Sequence, residues 1–215
     1  TANGNGSVAI GGQGQAYDQY NQPIVDGDGN AVLIGTTAAQ DAVAVGAGAQ
    51  ATGALSNAFG SGAQATGDNS LAQGYKARAT GDYSIAQGDN AWASGVESTA
   101  TGAYAWATAE SATAFGASAW ATEANATALG YAAWADGAGA TSVGYNSWAR
   151  GTSSTAVGRG AFAYANNSVA LGYQALGNSI NSIAIGTNVV AGGESAIGIG
   201  AGSAASASNA VALGA

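Results

Sequence analysis

Neither cysteine nor histidine occurs in the 215 residues. Their absence removes disulfides, thiolate nucleophiles, imidazole acid–base chemistry and the commonest transition-metal ligands together, and no cofactor or metal is expected. Cations are scarce as well. Lys76, Arg78, Arg150 and Arg159 stand against 12 acidic residues, and a formal net charge of −8 excludes a nucleic-acid-binding surface. No apolar run approaches the ~20 residues of a membrane-spanning helix. The opening Thr1-Ala2-Asn3 carries no signal-peptide pattern, and a segment of a longer protein is expected. Charged residues make up only 7% and there is a single proline, Pro23, whereas glycine occurs 36 times and much of the 47% hydrophobic content is alanine. That is not the composition of an ordinary globular domain.

The glycines are periodic. The pentapeptides Ser168-Val169-Ala170-Leu171-Gly172 and Ser182-Ile183-Ala184-Ile185-Gly186 lie fourteen residues apart. Stepping by fourteen from their closing glycine gives Gly46, Gly60, Gly74, Gly88, Gly102, Gly116, Gly130, Gly144, Gly158, Gly172, Gly186, Gly200 and Gly214 without an insertion. A short fixed period of this kind predicts a solenoid in which each coil buries its face only against its neighbours. One domain is expected, regular over 42–215 and irregular over 1–41. Ser7 to Gly11 and Val32 to Gly35 read as two early markers, separated by steps of 24 and 11 from the next. The stretch from about 12 to 31, with Tyr17, Tyr20, Pro23 and the turn Asp26-Gly27-Asp28-Gly29-Asn30, reads as a loop or hairpin shielding the first coils. Asp26, Asp28 and Asn30 resemble the start of a calcium loop, but Ala31 and Thr37 stand where that loop needs Gly and Glu, so an Asx turn is preferred.

Each coil divides into two legs with period-two patterning. Three and five residues past each marker come alanines, such as Ala63 and Ala65 or Ala105 and Ala107, which a strand places on one face. Gly53, Gly67, Gly81, Gly95, Gly137, Gly151 and Gly193 follow the markers by seven and predict corners where unusual dihedrals are needed. The second leg is the pentapeptide itself, with Ser70, Ala72 and Gly74 on one face. Both legs thus offer a face of Ala, Ser and Gly. The expected fold is all-β, a thin parallel β-roll with coils stacked at ~4.8 Å. A helix fails because recurrent mid-segment glycine costs ~1 kcal/mol each time. A hexapeptide β-helix fails because fourteen is not a multiple of six.

Bulky residues must then point outward. On the second leg these are Val43 and Val45, Leu71, Ile85, Val157, Val169 and Leu171, Ile183 and Ile185, Ile197 and Ile199, Val211 and Leu213. A continuous apolar column of this kind on one chain marks an association surface, and an obligate oligomer is expected. The column turns polar at Gln73, Gln87, Thr99 and Thr101, which either fix register between subunits or line a solvent-filled section. On the first leg, Trp92, Trp106, Trp120, Trp134 and Trp148, followed by Phe162, occupy one column on consecutive coils. That ladder either covers the alanine layer or forms an aromatic binding stripe. Asp68, Asp82, Glu97, Glu110 and Glu123 are placed at corners, where a solvated anionic edge is expected. Thr52, Thr66, Thr80, Thr108 and Thr122 form a further column.

The units Asn167-Ser168-Val169-Ala170-Leu171-Gly172 and Asn181-Ser182-Ile183-Ala184-Ile185-Gly186 resemble the head repeat of trimeric autotransporter adhesins, typified by the Yersinia adhesin head. The resemblance covers roughly 42–215 and Ser7 to Gly11. It implies a left-handed β-roll, a homotrimer around a common axis, and display on the outer membrane of a Gram-negative bacterium. Attachment to the membrane would come only through a stalk and anchor outside this sequence. The partners it implies are extracellular-matrix proteins, host cell-surface molecules or sister adhesins. Gln73, Gln87 and Thr101 depart from the large aliphatic usual in such repeats, and the Trp column is no part of the motif. With no paired-carboxylate cleft, an enzyme is disfavoured. Two further readings are an ice-binding solenoid, for which the Thr column speaks, and a purely structural spacer.

Overall fold

The computed structural model describes residues 1–16, 22–27, 30 and 32–214. Tyr17, Tyr20, Asp28, Gly29 and Ala31 lie outside the described residues. The architecture is an all-β parallel solenoid of 14-residue coils, without a helix among the described residues. The chain divides into two units, Thr1–Tyr104 and Ala105–Ala215.

Each coil holds a three-residue strand and a two-residue strand joined by two tight corners. In the first unit the longer strands Val8–Ile10, Val43–Val45, Asn57–Phe59, Leu71–Gln73, Ile85–Gln87 and Thr99–Thr101 form one parallel ladder. In the second, eight such strands run from Thr113–Phe115 to Val211–Leu213. The shorter strands make a second parallel ladder in each unit. Backbone groups are satisfied from coil to coil, as where Leu71 N–H donates to Ser84 O at 2.9 Å and Gly88 N–H donates to Gln73 O at 2.8 Å.

The corners are four-residue turns whose third residue is left-handed. Ser84 N–H donates to Gly81 O at 3.2 Å around Tyr83, φ 58°, and Ala91 N–H donates to Gly88 O at 3.3 Å around Asn90, φ 53°. Two left-handed residues therefore recur in every regular coil, two and nine positions past the marker, and most are not glycine. The thirteen marker glycines from Gly46 to Gly214 have φ between +107° and +140°, and a Cβ on Gly74 would lie 2.3 Å from Gly88 O. The glycines at offset seven differ from the dihedral argument made for them. Gly67 lies outside the left-handed region, and its side chain is excluded because a Cβ would meet Gly81 O at 2.1 Å. Close stacking of carbonyls, rather than an unusual φ, selects glycine at that corner.

The interior is almost wholly alanine: Ala58, Ala72, Ala86 and Ala114 on the longer strands and Ala65, Ala79, Ala93 and Ala121 on the shorter are 0% exposed. Buried serines close the corners, with Ser56 Oγ donating to Gly53 O and Ser98 Oγ to Gly95 O, each at 2.7 Å. Gly177 takes one alanine position, and two further departures are each matched across the roll. Val189 takes an alanine position, and opposite it stands Gly198, whose Cβ would approach Val189 Cγ1 to 2.9 Å. Ser142 and Ser147 replace two alanines, and their hydroxyls share a hydrogen bond of 2.7 Å across the roll.

The N-terminal region differs from the expected spacing. Val8–Ile10 pairs directly with Val43–Val45, so the marker ladder steps from Gly11 to Gly46. Leu33–Gly35 does not join it; this strand pairs antiparallel with Gln13–Gln15 in a separate two-stranded sheet. Ile24 N–H donates to Ala16 O, and Val32 N–H to Ile24 O, both at 2.9 Å. Asp26 Oδ1 accepts the Asn30 N–H at 2.9 Å, the Asx pattern that closes a turn. Thr36 Oγ1 then donates to Gly46 O at 2.7 Å where the chain rejoins the roll.

Candidate functional site

Because the interior admits small side chains, with Val189 the largest that is fully buried, the other large groups stand outward, and three columns carry the chemistry. The first lies on the shorter strands. In the second unit Trp106, Trp120, Trp134 and Trp148 are in register and half-buried. Their ring centroids are 4.8, 4.6 and 4.9 Å apart with interplanar angles of 4 to 6°. Parallel strands at that separation force identical rings to stack. The stack ends at Phe162, which meets Trp148 edge-on at 80° and 5.7 Å and stacks on Tyr164 at 5.6 Å. Trp92 occupies the same strand position in the first unit, beside Arg78. Trp120 and Trp134 are covered on both faces, so ring edges are what they present to solvent. An indole edge is the positive rim of the ring quadrupole.

The second column lies on the longer strands. Val43, Val45, Leu71, Gln87, Val169, Leu171, Ile183, Ile185 and Ile197 are half-exposed, while Gln73, Ile85, Val157, Ile199, Val211 and Leu213 are exposed, Leu213 by 72%. Sequence spacing had singled these out but missed Phe59, Phe115, Leu129 and Val143, which complete the same face. Their strand partners Asn57, Thr113, Thr127 and Thr141 are polar, which hid them from a search for paired aliphatics. In the second unit at least one residue of every longer strand is therefore a large apolar group, from Phe115 to Leu213. In the first unit the face turns polar at Gln73, Gln87 and Thr101, and Gln87 Nε2 donates to Gln73 Oε1 at 3.1 Å.

The corners make the third column. Asp68 and Asp82 are exposed, yet each also carries a coil contact: Asp68 Oδ1 accepts Ala54 N–H at 2.8 Å, and Asp82 Oδ1 accepts Asp68 N–H at 3.0 Å. They anchor corner amides as well as charging the edge. Tyr131 and Tyr145 stack at 5.5 Å, and the Arg159 guanidinium lies 5.5 Å from the Tyr145 ring and 5.8 Å from Tyr173. Thr52, Thr66 and Thr80 stand exposed at the ends of their short strands. Among the described residues no group of three acidic side chains is placed to hold a metal ion.

A family model described as the YadA head domain repeat matches residues 1–13, 51–77, 65–91, 79–105, 107–133, 121–147, 149–175, 163–188 and 191–215, which together make up most of the chain. No curated protein matches the chain.

Proposed function

The chain belongs to the YadA head domain repeat family, and from that premise we propose that it is the head of a bacterial surface adhesin that attaches cells by multivalent contact. The family is one of cell-surface adhesins rather than enzymes. The indole ladder supports the finer reading: rigid, identical ring edges repeated every 4.6 to 4.9 Å over four coils. Each edge contributes a weak contact. Repetition turns weak contacts into avidity that can exceed a single affinity by ~10²–10⁴. The matching surfaces are extracellular-matrix proteins, host cell-surface molecules and sister adhesins, the last giving self-aggregation.

The same reading assigns the apolar column of the longer strands to assembly with two further copies around a common axis. Phe115, Leu129, Ile199 and Leu213 are between 39% and 72% exposed on the single chain. Covering such a side chain is worth on the order of 1 kcal/mol or more, summed over every coil. A stalk and membrane anchor would belong to other parts of the protein.

The test displays the full protein on cells with Trp106→Thr, Trp120→Thr and Trp134→Thr combined, and checks the oligomeric mass of the purified variant by sedimentation. Adhesion to matrix-coated surfaces and cell–cell aggregation should fall at least tenfold while the mass is retained. Unchanged adhesion by correctly assembled protein would remove the stripe from the binding role and leave it as cover for the alanine layer.

A further inference from the structure

The corner that carries Gly158-Arg159-Gly160 differs from those around it. Along the column one residue past the marker, tyrosines stand at 131, 145 and 173, and Arg159 is set between the last two, 5.5 and 5.8 Å from their ring centres. Along the next column Asn146 and Gln174 flank Gly160, where the side chain is missing, and a Cβ there would touch only Gln174 Cγ, at 3.5 Å. The result is an open depression of about 190 Å³ lined by Tyr145, Asn146, Arg159, Phe162, Tyr173 and Gln174. It lies below the ~300–1,000 Å³ of a drug-sized cavity and suits one ring-sized group.

The electrostatics are equally local. The chain carries −8 overall, yet this lining has one cation and no carboxylate. Arg150 is engaged with Asp136 at 3.4 Å, whereas among the described residues no carboxylate or carbonyl takes the Arg159 guanidinium. Its contacts are to aromatic faces. A guanidinium that stacks by its flat faces keeps its in-plane N–H donors, which match a carboxylate in a two-pronged pair. The exposed amides of Asn146 and Gln174 offer donors and acceptors beside it, and the three rings offer apolar walls.

We propose that this depression is a glycan site that takes a single carboxylate-bearing sugar at the end of an otherwise neutral oligosaccharide. The pyranose ring lies against the aromatic walls, its carboxylate pairs with Arg159, and its hydroxyls bond the two amides. A lone cation in a strongly anionic molecule matches one carboxylate; it is outweighed by a polyanionic glycan, and a phosphomonoester brings nearly two charges. The aromatic walls favour a flat ring over the narrow methylene stem of an acidic peptide side chain. This site shares Phe162 with the aromatic column but none of its indoles. Replacing Trp106, Trp120 and Trp134 leaves it intact, so its failure and that of the stripe are distinguishable.

The experiment is saturation-transfer NMR on the intact assembled chain, with 3′-sialyllactose and a glucuronate-terminated neutral trisaccharide as probes and lactose as the uncharged control. Transfer should be strongest on the acidic ring of one or both probes and absent for lactose. Arg159→Ala should weaken binding about tenfold or more, the usual scale for losing a charge-assisted pair, and Arg159→Lys should restore only part of it. Gly160→Asn fills the depression without a backbone penalty, since Asn146 and Asn188 hold left-handed φ values of 55° and 53° at the same corner position. That variant should fold as the parent does and lose the signal. Absence of binding to both acidic probes, or binding that survives Arg159→Ala and Gly160→Asn in folded protein, overturns the proposal. So does equal binding of lactose.

Discussion

At the level of single residues the molecule is governed by volume. A roll filled with alanine has no slack, so any larger inward side chain needs a smaller one facing it. Val189 and Gly198 are such a pair, with 2.9 Å separating a hypothetical Gly198 Cβ from Val189 Cγ1. Gly198→Ala alone should lower stability by ~1–3 kcal/mol through overpacking, and adding Val189→Ala should recover most of the loss. A thermal-unfolding double-mutant cycle that shows simple additivity would contradict the pairing. Backbone conformation sets the second residue-level rule. Leu55 holds φ 58° at a corner where the equivalent residues include Asn69, Asn125, Asn167 and Asn181. A left-handed leucine is strained by ~1–2 kcal/mol, and asparagine tolerates that region. Leu55→Asn should therefore raise the unfolding midpoint, although Leu55 is 53% exposed and its loss would otherwise be neutral. By contrast Gly74→Ala should destabilise by ~1–3 kcal/mol or more, combining a forbidden φ of 140° with a Cβ 2.3 Å from a backbone oxygen.

At the level of the strand ladders, every in-register column becomes a chain of like contacts. For indoles this is favourable, since each stacked pair adds ~0.5–1.5 kcal/mol beyond burial. Trp134 is stacked on both sides, at 4.6 and 4.9 Å. Trp134→Ala should cost ~1–3 kcal/mol and shift unfolding of the second unit, whereas Trp148→Phe should cost less, because Trp148 already ends the parallel stack. Equal effects in calorimetry would mean that the stack contributes nothing specific. The indole ladder therefore stabilises the roll whether or not it also binds. The glutamines are the polar counterpart: Gln87 donates to Gln73 along the column, between Phe59 on one side and Thr101 on the other.

At the level of the whole molecule the proposed assembly rests on the outward apolar column. Leu171→Glu with Ile185→Glu places two charges on adjacent coils of that column, where Leu171 and Ile185 pair in register. Both side chains point away from the alanine core, so the fold of each coil should survive while assembly fails. Sedimentation should report single-chain mass for the variant and three-chain mass for the parent. The parent's unfolding midpoint should also rise with concentration, as mass action requires of an assembly. A variant that keeps the parent's mass would place the interface elsewhere.

The fourteen-residue period was legible in the amino-acid sequence because each coil repeats the same packing problem, and the same small residues solve it each time. Period-two alternation fixed which face is inward, and so placed the Trp column and most of the apolar column by arithmetic alone. Compensation between residues distant along the chain was not legible. Ser142 with Ser147 and Val189 with Gly198 look like independent lapses from the repeat until the two legs are seen to face each other. Nor did spacing reveal that Leu33–Gly35 leaves the marker ladder for an antiparallel pair with Gln13–Gln15; the cue was one of size, since Leu33 stands where the roll pentapeptide carries its inward alanine. The left-handed corners were hidden because residues as unlike as Leu55, Tyr83 and Ala132 occupy them. The depression beside Arg159 exists only because a missing side chain and two rings from neighbouring coils converge there. Sequence determined the coil, because its interior obeys a local rule of size; tertiary structure decided the exceptions and the sites, because those depend on which coils are brought together.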